Sequence, residues 1–243
     1  MAISQSTGGY HRVNGVISGA AGFGKGAQGT MVLNGNNLYT GPTTIANGTL
    51  AINGSNVSDT LVGAGKLQGV GSVRILSVYD DASNANPAGA LSPGDDTAAA
   101  TFTASRADFA DGGSYLFNLN DAATGAGIGW GLLSLNGAGT ANGNLDVPAG
   151  AGGFTINLTG AGAGFDDGID QVFTMVDAAA VTGFDPSDFV IDTSGFAPTY
   201  GGTFSVSDAG GNLNLVYTAV PEPAVASLMG IAGLVLLTRR RRA

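Results

Sequence analysis

Glycine, often preceded by asparagine, interrupts this chain at short intervals and limits it to short segments of regular structure. The sequence has 42 glycines among 243 residues, and each glycine inside a helix costs about 1 kcal/mol relative to alanine. Between Asn14 and Gly54 the runs that separate the glycines are apolar or rich in threonine, as is typical of strands. The pattern therefore predicts an all-β protein of many short strands and tight turns.

Two strand arrangements fit the dipeptide Asn47-Gly48. One is a β-hairpin that pairs residues 43–46 with residues 49–52. The other is a corner of a parallel β-solenoid, in which Asn and Gly form the turn and Thr, Ile and Leu stack between successive rungs. Leu33-Asn34-Gly35 recurs nineteen residues later as Ile52-Asn53-Gly54. Because this spacing is about one rung, it favours the solenoid.

The second half of the chain alternates apolar and polar residues more regularly. Period-two alternation predicts strands that each bury one face, and hence either a sandwich-like region or broad solenoid rungs. We divide the chain into a solenoid region (1–100) and a β-rich C-terminal region (101–219). Residues 90–96, which include Pro93-Gly94, are predicted to form a tight turn. The clearest apolar runs predict strands at residues 72–79, 154–158, 171–176, 204–206 and 213–217.

Residues 14–54 resemble the autotransporter-associated β-strand repeat of bacterial passenger regions. The best matches are Gly29-Thr30, Leu33-Asn34-Gly35, Asn37, Tyr39-Thr40-Gly41, Thr43-Thr44-Ile45 and Gly48-Thr49-Leu50. The resemblance implies a right-handed parallel β-helix with a surface or adhesive role and no catalytic residues. A solenoid needs roughly three neighbouring repeats to bury a continuous core. We therefore expect diverged later rungs or further copies upstream of Met1.

The last part of the chain, residues 220–243, has three components. The first is Val220-Pro221-Glu222-Pro223, where the prolines favour an extended backbone. The second is an uncharged run predicted to form a hydrophobic helix, which as residues 224–238 would be about 22 Å long, short for a bilayer core of about 30 Å. This run includes Ala224, Leu228, Ile231, Leu234 and Leu237. The third is Arg239, Arg240, Arg241 and Arg242, which we expect to stay on the cytoplasmic side.

This order of components resembles the PEP-CTERM sorting signal of Gram-negative bacteria. The resemblance implies export, transient insertion in the inner membrane, and recognition of Pro221-Glu222-Pro223 by an exosortase-type membrane protease. Glu222 is then a recognition residue rather than a catalyst. Residues 1–10 have neither a basic start nor an apolar segment of the kind found in signal peptides. We therefore expect the sequence to be the C-terminal piece of a longer precursor, or its start to have been placed too late.

Charge and composition exclude several functions. Residues 1–220 carry five basic and seventeen acidic side chains, a net charge of −12, which repels nucleic acid and anionic polysaccharide. The chain has no cysteine and a single histidine, His11. A thiolate site and a histidine-based zinc site are therefore excluded. We interpret His11 as a loop residue without a catalytic role.

The strongest acidic cluster is Asp166-Asp167-Gly168-Ile169-Asp170. Carboxylate oxygens of Asp166, Asp167 and Asp170 around a glycine turn are hard ligands of the kind that bind calcium. The cluster lacks the complete EF-hand spacing and is not repeated. A solvated acidic turn is the alternative.

These patterns predict an exported, non-enzymatic structural or adhesive protein of the cell surface or extracellular matrix. The alternative is a β-helix that binds or cleaves polysaccharide, with exopolysaccharide as its partner. Cleavage would need two carboxylates about 5–10 Å apart. Seventeen aspartates offer many pairs, but glutamate is absent before Glu222. A groove with clustered aspartates and aromatic side chains would favour the alternative.

Overall fold

A computed structural model describes residues 2–3, 9–83, 86–138, 142–147 and 153–220. In this part of the chain the structure is nearly all β, with one short 3-10 helix at Pro186–Asp188. The chain winds repeatedly between two long sheets. Neighbouring strands within each sheet come from successive rungs and run parallel, except at the C-terminal end of one sheet. The predicted all-β parallel solenoid is confirmed for these residues. The predicted helix after Pro223 lies outside them.

Sheet 1 contains one strand from each rung. Its eight strands in the described part of the chain are β2 (Tyr10–Val13), β5 (Thr30–Leu33), β8 (Thr49–Ile52), β11 (Gly65–Gly69), β13 (Gly89–Pro93), β15 (Ser114–Asn118), β18 (Phe154–Gly160) and β21 (Phe189–Phe196).

Sheet 2 forms the opposite wall and continues into an antiparallel end. Its main path is β1 (Ala2–Ile3), β4 (Phe23–Lys25), β7 (Thr43–Ile45), β10 (Thr60–Val62), β12 (Ser72–Val78), β14 (Thr101–Phe109), β16 (Leu132–Leu135), β19 (Gln171–Asp177), β23 (Asn212–Thr218) and β22 (Thr203–Ala209). A short third wall joins this sheet through β3 (Ser18–Gly19), β6 (Asn36–Tyr39) and β9 (Ser55–Asn56), and β17 (Asn144–Asp146) pairs with β14 and β20 (Ala180–Thr182).

The strand register shows that Asn47-Gly48 is a solenoid corner. Strands β5 and β8 pair in parallel, with Leu33 opposite Ile52. Strands β7 and β8, which a hairpin would pair, belong to different sheets. The hairpin alternative is therefore wrong, and nineteen residues is the length of chain that forms one rung. Glycine permits the corner because Gly48 has a φ of +67°.

Inward-facing side chains stack in rows along the solenoid axis. Met31, Leu50, Leu67, Leu91 and Tyr115 occupy successive rungs of one row, and none is more than 1 % exposed. Each fully buried side chain of this size contributes about 1.5–3 kcal/mol of hydrophobic free energy. The row therefore joins each rung to the next through a continuous apolar core.

The rungs widen after the third turn, and aromatic side chains fill the larger interior. Phe109 and Phe154 stack with their ring centroids 4.3 Å apart. The Tyr115 hydroxyl donates to the carbonyls of Gly131 (3.2 Å) and Met175 (3.1 Å). Complete burial raises the pKa of Tyr115 well above its ordinary value. The C-terminal half is therefore built of broad rungs, one of the two arrangements that the alternation left open.

The C-terminal end of the solenoid is antiparallel. Strand β23 pairs with β19 and with β22 in that sense. Rings of Phe165, Phe196, Tyr200, Phe204 and Tyr217 cluster there at centroid distances of 4.9–6.1 Å. In the middle of the chain, β12 and β14 pair in parallel across the predicted division between the two regions near residue 100. The two regions therefore share one sheet.

The third wall is held by buried amide groups. Asn37 is 1 % exposed. Its Oδ1 accepts from Ile17 N at 2.9 Å, and its Nδ2 donates to Gly35 O at 3.1 Å and to Asn56 Oδ1 at 2.9 Å. The series stops at Asn56, whose Nδ2 has no partner among the described residues, because the next rung has Val73 at that position. Asn37 therefore connects three rungs.

Replacing this buried amide should destabilise the solenoid. In Asn37→Ala the partly buried Ile17 N–H loses its acceptor and the buried Asn56 amide loses its bonded neighbour, so we expect the free energy of unfolding to fall by about 2 kcal/mol. The matched control is Asn36→Ala, because Asn36 is exposed and accepts one bond from Ser55. It should cost less than about 0.5 kcal/mol. Urea unfolding measures both; equal losses would contradict this role for Asn37.

Glycine stacks on glycine at the corner between sheet 1 and the third wall. A Cβ on Gly35 would lie less than 3.0 Å from Gly15 O, and a Cβ on Gly54 would lie as close to Gly35 O. Real Cβ atoms essentially never come this close. Successive rungs can therefore keep their register only if these corners carry no side chain.

Gly35→Ala should lower the free energy of unfolding by at least about 2 kcal/mol, because the backbone of two rungs must separate. Gly26→Ala is the control, since a Cβ there meets nothing within 4 Å. That variant should be neutral or stabilising by about 0.5 kcal/mol. Thermal unfolding followed by circular dichroism distinguishes them. Similar midpoints for the two variants would show that corner contact does not set the register.

Candidate functional site

The outer face of sheet 1 is covered where it crosses the first rungs. Val32, Ala51 and Gln68 lie opposite one another on β5, β8 and β11 and occupy one outward-facing row. Val32 and Ala51 are nevertheless only 4 % and 5 % exposed. Outward-facing residues are buried only when another part of the molecule packs against them, and here loop 94–100 (Gly94 to Ala100) lies beside them.

Loop 94–100 closes on itself around Asp95. The Asp95 Oδ1 accepts from Thr97 N, Thr97 Oγ1 and Ala98 N, each at 2.8 Å. The Asp95 N–H donates to Ala98 O at 2.9 Å. The backbone bonds to this carboxylate, led by that from Thr97, lower the pKa of Asp95. Asp95 therefore stays ionised under mildly acidic conditions.

Polar contacts fix this loop against sheet 1 on both sides. Gly94 and Gly69 exchange backbone hydrogen bonds of 2.7 and 2.8 Å. Lys66 forms a 2.5 Å ion pair with Asp96, and Asn118 donates to Asp96 O at 3.2 Å. Since Lys66 and Asn118 belong to strands on opposite sides of β13, the loop spans that strand.

Two hollows flank loop 94–100. The proximal hollow has a volume of about 390 Å³ and is lined by Tyr10, Thr30, Asn53 and Gln68, with Asp95 and Ala98 of the loop. The distal hollow is smaller, about 210 Å³, and is lined by Ser92, Leu116, Asn118 and Thr159, with Asp95 and Asp96. Asp95 therefore lines both hollows.

Tyr10 forms the outer wall of the proximal hollow. Its side chain is 58 % exposed. Arg12 donates from Nη2 to the Tyr10 hydroxyl at 2.9 Å, and the guanidinium carbon lies 5.7 Å from the ring centroid. These contacts fix the orientation of an aromatic ring that solvent reaches.

The predicted calcium ligands do not converge. Asp166 Oδ1 accepts from Gly168 N at 3.0 Å, and Asp170 Oδ1 accepts from Ala219 N at 2.9 Å. For Asp167 the contact is through its carbonyl, which accepts from the Tyr217 hydroxyl. Among the described residues no group of three or more His, Cys, Asp or Glu side chains is placed to hold a metal ion. The calcium site stays a prediction that this geometry does not favour.

The sorting residues lie almost entirely outside the described part of the chain. Val220 is its last residue and is 57 % exposed. Pro221, Glu222 and Pro223, the apolar run and the four arginines follow it. Within the described ranges no helix is long and apolar enough to cross a membrane.

The other predicted and excluded groups have structural positions. His11 lies in β2 opposite Met31, so its placement in a loop is wrong. On sheet 2, Asp108 and Asp146 lie on neighbouring rungs and both bind Arg106. Burial is the main cause that raises the pKa of Asp108. Arg106 therefore joins the carboxylates of two neighbouring rungs.

The hollow was not recognised from the sequence. Tyr10, Gln68 and Asp95 are distant in sequence, and the strand register brings them together. Residues 90–96 were predicted as a turn, whereas β13 extends to Pro93 and the turn begins at Gly94. The available signal was Gly94-Asp95-Asp96-Thr97, a glycine followed by a residue that accepts local backbone bonds.

The fold and this site define a parallel β-solenoid protein with a binding-sized hollow on one sheet. A family model described as the passenger-associated-transport-repeat matches residues 26–52. These residues comprise β5, β6, β7 and β8, one complete rung and the next strand of sheet 1. The match supports the repeat expected at 14–54 and indicates an exported, passenger-type surface protein. No curated protein and no solved structure matches the chain.

Asp95 should determine the order of loop 94–100. Asp95→Ala removes the acceptor of the Thr97 and Ala98 amides, so we expect their hydrogen exchange to accelerate about tenfold, the equivalent of one net hydrogen bond. Asp96→Ala is the matched control, because it removes only an exposed ion pair. Exchange measured by NMR should change little in that variant. Equal acceleration in both would assign the order of the loop to the ion pair.

The loop should also respond to acid in a defined direction. Since the folded-state pKa of Asp95 lies below its ordinary value, the stabilisation is present above the ordinary value of about 3.9. It is lost as the pH falls through the lowered pKa. NMR titration of the Asp95 carboxyl carbon should give a midpoint below the ordinary value of about 3.9. A midpoint above it would contradict the hydrogen-bonding scheme.

Proposed function

We propose that this chain is an exported, non-enzymatic structural or adhesive protein, sorted to the cell surface or extracellular matrix by its C-terminal tail. The observation that carries the proposal is the passenger-repeat match to residues 26–52. It falls on rungs of a parallel solenoid whose core is continuous. We take the coil to be right-handed, the sense in which parallel crossover connections almost always run.

The mechanical properties of the solenoid suit this role. Each rung contacts its neighbours through backbone hydrogen bonds and stacked side chains, so stability accumulates along the axis. The strongly acidic surface keeps such molecules soluble and apart. The two ion-paired carboxylates Asp108 and Asp146 act, in this proposal, as a structural contact between rungs through Arg106.

Sorting is proposed from the residues after Ala219. The pair Pro221 and Pro223 would present Glu222 on an extended backbone to an exosortase-type protease. The apolar run would enter the inner membrane transiently, and Arg239–Arg242 would stay at the cytoplasmic face. Cleavage near the Pro-Glu-Pro motif would then separate the solenoid from its basic end.

Substitution of Glu222 should block this processing. In cells that contain the protease, Glu222→Ala should reduce the fraction lacking Arg239–Arg242 by about tenfold or more, because a site built to bind a polar group rejects a substrate without it. Asp208→Ala is the control, an exposed acid in β22 outside the tail. Mass spectrometry of protein purified from cells gives the result. Wild-type mature protein that retains Arg239–Arg242 would refute the sorting proposal.

Polysaccharide binding is a second candidate function. The proximal hollow favours it, because it combines an exposed aromatic ring with an ionised aspartate and neutral hydrogen-bonding side chains. Its volume lies at the lower end of the range for small-molecule sites, about 300–1,000 Å³. Binding to a matrix glycan is compatible with surface sorting and does not require it.

A further inference from the structure

The lining of the proximal hollow combines apolar and hydrogen-bonding groups. Val70, which is 57 % exposed, and the exposed methyl group of Ala98 supply the apolar part. Thr30 contributes a hydroxyl group and Gln68 contributes an amide group. A ligand that matches this surface carries both C–H faces and hydroxyl groups, as sugar rings do.

The charge of the hollow is low compared with the rest of the protein. Residues 1–58 contain two basic and no acidic side chains, whereas residues 107–220 contain twelve acidic and no basic ones. The solenoid converts this order along the chain into an order along its axis. Among the described residues that line the proximal hollow, Asp95 is the one carboxylate and no lysine or arginine is present. The basic side chains beside the hollow are already engaged, Lys66 with Asp96 and Arg12 with the Tyr10 hydroxyl. The Asp95 carboxylate therefore disfavours an anionic ligand.

Tyr10 adds an exposed aromatic ring to the proximal hollow. An exposed ring face packs against the C–H face of a sugar, because the partially positive C–H hydrogens are attracted to the π-electrons of the ring. The contact with Arg12 holds the ring in place before a ligand arrives. A ring already held in position loses less conformational entropy on binding.

We propose that the proximal hollow binds an uncharged glycan chain, with Tyr10 stacking on one sugar ring and Thr30, Gln68 and Asp95 accepting or donating hydrogen bonds to hydroxyls of the next. The volume of the proximal hollow, about 390 Å³, falls within the range of small-molecule sites, about 300–1,000 Å³. The distal hollow continues the same face beyond loop 94–100. The inference rests on the second candidate function and is independent of sorting.

The test is affinity electrophoresis of the full chain in native gels. Three gels each contain one neutral polysaccharide (laminarin, dextran or galactomannan), and a fourth contains the anionic polysaccharide alginate. The protein is kept in a detergent without a sugar headgroup, because such headgroups would compete. We expect at least one neutral polysaccharide to retard the wild type and alginate not to retard it. Oligosaccharides of the retarding polymer then give Kd by calorimetry.

Two variants remove the proposed contacts. Tyr10→Ala should weaken binding about three- to tenfold, the value of one aromatic contact beyond its area. Gln68→Ala should weaken it by a similar factor through one lost hydrogen bond. Tyr10→Phe keeps the ring and should bind within about twofold of the wild type. Circular dichroism confirms that each variant is folded.

Asn157→Ala is the matched control for Gln68→Ala. Asn157 lies on the outer face of the same sheet, opposite Leu116 on β15 and outside the proximal hollow, and its loss should leave Kd unchanged. Three results overturn the proposal: no retardation by any neutral polysaccharide, retardation by alginate alone, or equal Kd for wild type, Tyr10→Ala and Gln68→Ala. Association of the protein with itself at this face, measured by sedimentation and weakened by Tyr10→Ala without any glycan binding, would also overturn it. None of these results bears on the processing of residues 220–243.

Discussion

The close approach of backbone to backbone at the glycine corners is the constraint on which the rest of the structure depends. Where Gly35 lies between Gly15 and Gly54, each rung contacts the one above without an intervening side chain. This contact holds the strands in register, so that Leu33 stays opposite Ile52 and Met31 opposite Leu50. Register then determines which side chains enter the core, because a slip by one residue would turn every buried side chain outward.

Widening of the rungs connects this constraint to the candidate site. In the first rungs the buried amides of Asn37 and Asn56 hold a narrow third wall. Beyond them Val73 replaces the amide, β9 gives way to the longer strand β12, and later rungs need aromatic side chains to fill their interior. The additional residues also form loop 94–100, which folds back over sheet 1. The hollow therefore exists because one rung is longer than those before it.

The axial order of charge gives the molecule two different ends. A solenoid keeps residues near their neighbours in sequence, so the acid-free segment before Asp59 and the base-free segment 107–220 occupy separate rungs. Repulsion among the aspartates of the later rungs keeps that end solvated and separate from other anions. The proximal hollow lies among the earlier rungs, away from the base-free segment that carries twelve of the aspartates. Its single lining carboxylate and its position both disfavour an anionic ligand.

The sequence by itself determined the fold class, the rung spacing at Asn34 and Asn53, the longer strands such as β18 and β19, and the chemistry of the tail after Val220. These follow from glycine spacing and from alternation, which are local properties of the chain. Only the tertiary structure decided where loop 94–100 rests and that Tyr10, Gln68 and Asp95 share one surface. The physical reason is that long-range contacts position the loop, chiefly the Gly69–Gly94 backbone bonds and the bond from the Asn118 side chain to the Asp96 carbonyl. No pattern within either segment specifies its partner.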